Sequence, residues 1–278
     1  MTKRDVVIKT VLPKTLDLVD KIAKIDENKP IKRALEKIEE LPDGKQKERL
    51  RELALKTKGR FKARLKVGEA IYTYDYMQYC TDAYKLKCLI TDLSHKKYFV
   101  DKSAELFYES LSRLKLDFKK HQNIDSAKLM DCYLSFESFL FQSRALLDLL
   151  ARFYAEIFHN EFRKFNVPYR SFNKFRKWVL EKAKSQGFYD EFANFFETQT
   201  SWFNLLKAYR DEFAHRQGYN PLIEMTKNGD IKLRLCTVYM LDYDLDLEEL
   251  VHRIHQGIEQ LLKFTDDFLS KYIKNHME

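Results

Sequence analysis

The chain has 278 residues, of which only 7 are glycine and 5 are proline, a combined share far below the roughly 12% of average proteins. This scarcity argues against β-sandwiches and barrels, which need a turn-forming residue at almost every connection. It also argues against P-loop and dinucleotide-binding enzymes, because no two glycines lie closer together than Gly59 and Gly68. A hydrophobic share of 45% and a charged share of 33% are typical of a globular protein.

The net charge of +8 is concentrated near the amino terminus. Residues 1–68 carry 20 Lys and Arg against 11 Asp and Glu, a net charge of +9, whereas the remainder carries −1. A local positive field attracts polyanions such as RNA, DNA or an acidic protein. A charged helical surface in contact with water explains the same composition, and both interpretations stay open.

The cysteines and the apolar segments bear on the compartment. The four cysteines form no C-x-x-C pair, which is typical of reduced thiols in a cytoplasmic protein. Residues 1–14 contain no apolar run like that of a secretory signal. The most apolar stretch, residues 145–158, is interrupted by charged side chains and is not a membrane span. We therefore expect a cytoplasmic protein with no membrane partner.

The first 120 residues show mainly helical periodicity. Helices are predicted over about residues 15–25, 30–41, 45–66, 69–91 and 101–116. The second helix should end at the turn signal Pro42-Asp43-Gly44. Within the fourth segment, alternation at Tyr72, Tyr74 and Tyr76 suggests a strand instead.

A boundary is predicted at the polar segment 117–125, which ends in a plausible helix cap, Asp125. It divides the chain into a basic N-terminal helical region, 1–122, and a helical bundle, 123–278. Helices are predicted over residues 126–162, 171–185, 190–216 and 247–273. The first of these four is apolar over more than half its circumference, which is typical of the central member of a bundle.

A single β-hairpin is predicted, with strands at residues 222–225 and 231–241 around a tight Asn228-Gly229 turn. The expected fold class is therefore all-α, a helical bundle with a long central helix and a small β-hairpin before the last helix.

Two pairs of polar residues on predicted helices invite a functional interpretation. His252 and His255 have a spacing that two metal ligands could share, but nothing in that turn completes a ligand set. Partly exposed surface histidines are the simpler interpretation, and no metal is predicted. Arg144 and Asp148, four apart in the apolar central helix, should form a half-buried ion pair or border a site.

The segment from Tyr209 to Arg216 attracts the strongest functional interpretation. A histidine near a helix C-terminus has its charged form stabilised, so His215 could both accept and donate a proton. Arg210 lies about 140° away around the helix axis but has a long side chain that can reach the same groove. A capping histidine beside a surface arginine is the structural alternative.

This segment resembles the HEPN superfamily (higher eukaryotes and prokaryotes nucleotide-binding domains). Members are helical bundles that carry Arg, four to six residues and then His near a helix end, often with a polar residue after the Arg. Arg210, Asp211 and His215 match that pattern, and residues 136–148 resemble the family's long helix. A second match, Arg152 with His159, lies in mid-helix and has Phe153 after the arginine. The resemblance covers residues 126–276, and no family is evident for residues 1–120.

The resemblance implies a metal-independent endoribonuclease, a toxin or defence effector, that forms a 2′,3′-cyclic phosphate. His215 would be the general acid or base, Arg210 would stabilise phosphoryl charge, and Asp211 would orient either residue. Arg216, Tyr219 and Arg144 are the expected substrate-binding residues. RNA, a second copy of the chain and a neutralising protein are the expected partners, and no cofactor is expected. The alternative is a catalytically inactive HEPN-like module that binds nucleotide, RNA or protein.

Overall fold

The computed structural model describes residues 8–26, 28–41, 43–56, 62–67, 70–75, 82–215, 221–235 and 246–275. The chain divides into two compact units. The larger unit consists of Met1–Leu12 and Ile90–Leu269, and the smaller one of Pro13–Leu89 and Ser270–Glu278.

The smaller unit begins with three helices, α1 (Pro13–Asp26), α2 (Asn28–Glu39) and α3 (Lys45–Lys56). Their positions confirm the helices predicted before residue 57. Lys47, at the start of α3, lies 3.1 Å from the Glu39 carboxylate and 3.0 Å from that of Asp43, which ties the end of α2 to the next helix. Lys87 and Asp20 form a further ion pair of 2.7 Å within this unit.

A β-hairpin follows where helix was predicted. Its strands, β1 (Lys62–Val67) and β2 (Ala70–Asp75), pair antiparallel with Leu65 opposite Tyr72. The predicted helix over residues 45–66 is therefore too long, and the helix over 69–91 is wrong before residue 76. The strand suggested by the alternation at Tyr72 and Tyr74 is present. Side chains that alternate every two residues are typical of a strand.

Two long helices lead into the larger unit, α4 (Asp82–His121) and α5 (Ser126–Ile157). Asp125 is the N-cap of α5, as predicted, and its side chain accepts hydrogen bonds from the backbone N–H groups of Ala127 and Lys128. The turn before it contains Gln122 at φ 51°. The domain boundary predicted between residues 122 and 123 falls in this turn and stays a prediction.

The larger unit continues with short helices. They are α6 (His159–Lys164), α7 (Phe172–Trp178, extended by a π-turn Val179–Ala183 and a 3-10 turn Lys184–Gln186), α8 (Asp190–Gln199) and α9 (Trp202–His215). Then come β3 (Pro221–Met225), β4 (Ile231–Leu235) and α10 (Leu247–Asn275). The predicted helix over residues 190–216 is two helices, because Thr200 ends α8 and its hydroxyl donates to the Phe196 carbonyl at 2.5 Å.

The core of this unit is built around α5 and is rich in aromatic side chains. Tyr154 is fully buried, and its hydroxyl lies 2.5 Å from Thr265 Oγ1 on α10. Rings packed together at its end of the core are Phe158, Phe162, Phe175, Phe188, Phe192 and Phe268. The central position predicted for this helix is confirmed.

The hairpin before α10 is also present, with β3 and β4 antiparallel. Its loop is longer than the predicted Asn228-Gly229 turn, because Thr226 N–H donates to the Asp230 carbonyl at 2.7 Å and leaves three residues between them. Gly229 occupies the left-handed position at φ 77° that such a loop requires. The chain is thus an all-α bundle with a long central helix and a small hairpin before the last helix. No described helix is long and apolar enough to cross a bilayer.

Candidate functional site

Those predicted site residues that the structure describes lie on two helices, α5 and α9, which pack together in the larger unit. Arg144 is on α5, whereas Arg210 and Asp211 are in the last turns of α9, which ends at His215. The helix is continuous between Arg210 and His215, so their backbones are about 140° apart around its axis and about 7.5 Å apart along it. Arg216, Tyr219 and the side chain of His215 lie outside the described residues.

Arg144 and Asp148 form the predicted ion pair. Arg144 Nε lies 3.3 Å from Asp148 Oδ2, and both side chains are largely buried, at 16% and 31% exposure. Burial lowers the pKa of Arg144, and the charge of Asp148 opposes that effect. Arginine keeps its charge in proteins, so Arg144 stays cationic.

The same two side chains fix the beginning of α7. Arg144 Nη2 donates to the hydroxyl of Ser171 at 2.9 Å, and Phe172 N–H donates to Asp148 Oδ1 at 2.7 Å. Ser171 is the N-cap of α7 but its side chain makes no cap hydrogen bond. Asp148 therefore satisfies a helix N–H that would otherwise have no partner, and the pair both stabilises the fold and positions Arg144.

Arg210 lies beside α5. Its Nη1 donates to Asp211 Oδ1 at 3.0 Å, and its guanidinium carbon is 5.7 Å from the ring centroid of Phe141. Its Nε is buried and has no hydrogen-bond partner among the described residues. Asp211 thus bonds to the guanidinium from the next position in the chain, and its role in a site stays a prediction.

Arg144 and Arg210 influence each other electrostatically. Burial and Asp148 have the larger effects on the pKa of Arg144. In addition, the positive charge of Arg210 lowers the pKa of Arg144, and the negative charge of Asp211 raises it. Arg144 Nη1 is buried without a partner among the described residues, as is Arg210 Nε. Two neighbouring like charges favour an anion beside them, although these two unpaired donors are themselves closed to solvent.

A third guanidinium, Arg176 on α7, was not identified from the sequence. Its Nε donates to Thr200 Oγ1 at 2.8 Å and its Nη1 to Asn204 Oδ1 at 3.2 Å. The guanidinium carbon lies 5.5 Å from the ring centroid of Phe203, and that of Arg144 lies 5.2 Å from the same centroid. The sequence signal for the helix break next to Arg176 is Thr200-Ser201 before Trp202, because hydroxyl residues favour helix ends over helix interiors.

A separate polar cluster joins α4 to α10. His255 Nε2 lies 2.7 Å from Asp101 Oδ1 and 4.0 Å from Glu259 Oε1, a geometry that three metal ligands could have. Lys97 is buried and bonds to both carboxylates, so an ammonium group already occupies the cation position between them. His252 is exposed and His255 is partly exposed, as expected for surface histidines, but Asp101 from another helix also bonds to the His255 ring.

One open groove borders this cluster, and a second adjoins the first at Tyr108. One, of about 600 Å³, is lined by Asp101, Glu105, Tyr108, Glu109, Arg113 and His255. The other, of about 470 Å³, is lined by Tyr108, Lys232, Asp246, Glu248, Glu249 and His252. Both are predominantly acidic, so neither suits RNA, and the arginine cluster remains the better candidate for an anionic ligand.

No family model matches the chain, and no curated protein or solved structure shows significant similarity to it. The resemblance of α5 and α9 to the HEPN superfamily therefore stays a prediction.

Proposed function

We propose that the protein is a metal-independent endoribonuclease of the HEPN type whose site lies at the C-terminal end of α9. The observation that carries the proposal is the position of Arg210 over the ring of Phe141, which lies about one turn before Arg144 on α5. This brings two cationic side chains to the helix that ends at His215. Both have N–H donors without a partner among the described residues. These donors are buried, so phosphate oxygens would approach the exposed part of each side chain, which is 16% for Arg144 and 32% for Arg210.

In the proposed reaction, the 2′-hydroxyl of RNA attacks the adjacent phosphorus. A bond from O2′ to phosphorus forms, the bond from phosphorus to O5′ breaks, and a 2′,3′-cyclic phosphate and a 5′-hydroxyl result. A general base takes the proton from O2′ and a general acid protonates O5′. The guanidinium groups of Arg144 and Arg210 stabilise the negative charge that accumulates on the phosphoryl oxygens.

His215 is the proposed proton-transferring group. A helix C-terminus stabilises a protonated imidazole, which favours a histidine that is charged in one step and neutral in the next. One chain supplies a single motif histidine, whereas the reaction needs both an acid and a base. A two-fold dimer that brings two His215 residues together would meet that need.

The basic segment 1–68 adds a long-range attraction for RNA. The combination suits a toxin or defence effector of the cytoplasm, controlled by a neutralising protein. A catalytically inactive HEPN-like module that binds nucleotide, RNA or protein is the second candidate.

The test is to incubate RNA with the purified protein in excess chelator. We expect cleavage by the wild type, loss of cleavage in His215→Ala, and normal cleavage in His159→Ala, which alters the other Arg-His match. Cleavage that survives His215→Ala would contradict the site. RNA retention without any product would favour the binding module.

A further inference from the structure

Arg176 differs from the other half-buried arginines of the larger unit. Arg144, Arg210 and Arg234 each have a carboxylate within 3.3 Å, supplied by Asp148, Asp211 and Glu224 respectively. Arg176 has none among the described residues, and only neutral oxygens bond to it. Burial lowers the pKa of Arg176 with no opposing carboxylate. Partial burial of a charge without a counter-ion costs free energy, so an anion that binds Arg176 would be stabilising.

The side chain is nevertheless held in one orientation. Thr200 Oγ1 accepts from Nε and Asn204 Oδ1 accepts from Nη1, while the ring of Phe203 supports the guanidinium. An arginine has five N–H donors, and the remaining three have no partner among the described residues. The residue is partly exposed, and Asn204 beside it is exposed, so a ligand can reach these donors.

Arg176 is also near the proposed active site. The guanidinium carbons of Arg176 and Arg144 lie 5.5 Å and 5.2 Å from the centroid of the same Phe203 ring. The distance between the two guanidinium carbons is therefore no greater than these two distances added together. That limit is of the same order as the separation of neighbouring phosphates in a nucleic acid strand. Phe203 itself is fully buried and cannot stack on a base.

We propose that Arg176 binds a phosphate of single-stranded RNA next to the phosphate held by Arg144 and Arg210. The inference rests on the proposed function, because it places the second phosphate on the same RNA strand. Arginine suits this role because its planar fork can donate two parallel hydrogen bonds to one phosphate.

The experiment measures binding of a labelled, uniformly 2′-O-methylated single-stranded RNA to the full chain by fluorescence anisotropy across a salt series. Methylation removes the nucleophile, so the RNA stays intact whether or not the protein is a nuclease. The variants are Arg176→Gln, Arg176→Lys and, as a control, Lys177→Gln. Lys177 is the next residue on α7, is 72% exposed and loses the same charge.

We expect Arg176→Gln to weaken binding about tenfold or more, since charge-assisted hydrogen bonds are lost, and to reduce the salt slope by about 0.7. Arg176→Lys should keep the slope and bind with intermediate affinity. Lys177→Gln should stay within about twofold of wild type. Wild-type binding by both Arg176 variants would overturn the inference, as would a wild-type chain that fails to bind RNA.

The two proposals fail separately in this design. If the wild type binds methylated RNA but does not cleave unmodified RNA, the nuclease proposal fails and the comparison of Arg176 with Lys177 remains valid. If the wild type cleaves RNA and both Arg176 variants bind normally, only the inference about Arg176 fails. If Arg176 instead pairs with an acidic protein, neither Arg176 variant will change the affinity for RNA. That result also overturns the inference about Arg176.

Discussion

Arg144 on α5 and Arg210 on α9 lie close enough for the positive charge of Arg210 to lower the pKa of Arg144. Each arginine has an acidic neighbour in its own helix, Asp148 for the first and Asp211 for the second. The two carboxylates reduce the repulsion but leave N–H donors unfilled. This pair of cations is the feature on which the proposed chemistry depends.

Arg210→Lys tests the shape of the cation rather than its charge. Lysine keeps the positive charge but cannot present a planar fork to a phosphate. We expect the initial rate of RNA cleavage to fall about 100-fold, the effect of losing one positioned donor to an oxyanion. Arg152→Lys, an exposed arginine on α5 from the alternative motif match, should leave the rate unchanged. Equal rates for both variants would remove Arg210 from the site.

Asp148→Ala tests the structural role of the ion pair. The substitution removes the acceptor for Phe172 N–H and the partner of Arg144 Nε. Hydrogen bonds to charged groups contribute roughly 1.5–3 kcal/mol each. We expect the free energy of unfolding, measured in urea, to fall by about 2–3 kcal/mol.

The matched control for Asp148 is Glu109→Ala on α4. Glu109 forms an i,i+4 pair with Arg113, and these side chains are 50% and 72% exposed. Solvent screens such a pair, so its loss should lower the free energy of unfolding by less than about 0.5 kcal/mol. A loss of similar size in both variants would contradict the structural role assigned to Asp148.

Asp101 should make stability depend on acid pH. Burial raises the pKa of its carboxyl, but hydrogen bonds from His255 and Lys97 outweigh that effect and lower the pKa below its usual value. A lowered folded-state pKa stabilises the protein above the unfolded pKa of about 4, and that contribution is lost as pH falls through the folded value. Urea unfolding at pH 7 and at pH 3 should show a larger loss for wild type than for Asp101→Asn.

The control for this pH dependence is Asp92→Asn, which alters an exposed aspartate on the same helix. Its loss of stability between pH 7 and pH 3 should equal that of wild type. If Asp101→Asn shows the full wild-type acid dependence, the assigned hydrogen bonds do not stabilise the charged carboxylate.

Gly257→Ala tests the contact between α10 and α9. A Cβ atom on Gly257 would collide with the ring of Trp202, which is almost fully buried. Overpacking of this kind destabilises by about 1–3 kcal/mol, which should outweigh the helical preference for alanine. The neighbouring exposed substitution Gln256→Ala should not lower the free energy of unfolding. A more stable Gly257→Ala would show that the two helices do not pack this closely.

Local patterns in the sequence predicted the features that depend on neighbouring residues. The cap at Asp125, the ion pair of Arg144 with Asp148 and the hairpin turn that contains Gly229 all involve residues at most a few positions apart. The hairpin formed by β1 and β2 was missed because a helical stripe and an alternating strand overlap in the tyrosines of that segment.

Long-range contacts were beyond local patterns. Arg176 on α7 bonds to Thr200 and Asn204, which are 24 and 28 positions away along the chain. Thr200 lies at the break between α8 and α9, and helical periodicity does not show this break. Asp101 bonds to His255, which is 154 positions away, so the spacing of His252 and His255 gave no hint of that partner. Such arrangements are set by the packing of helices, which a single helix's periodicity does not contain.

The most direct measurement is the chemical identity of the RNA ends formed by the chelator-treated protein, determined by mass spectrometry. Metal-independent attack by O2′ predicts fragments with a 2′,3′-cyclic phosphate and a 5′-hydroxyl, produced by wild type and absent with His215→Ala. Fragments carrying a 5′-phosphate, or identical fragments produced by His215→Ala, would contradict the proposed site and its chemistry.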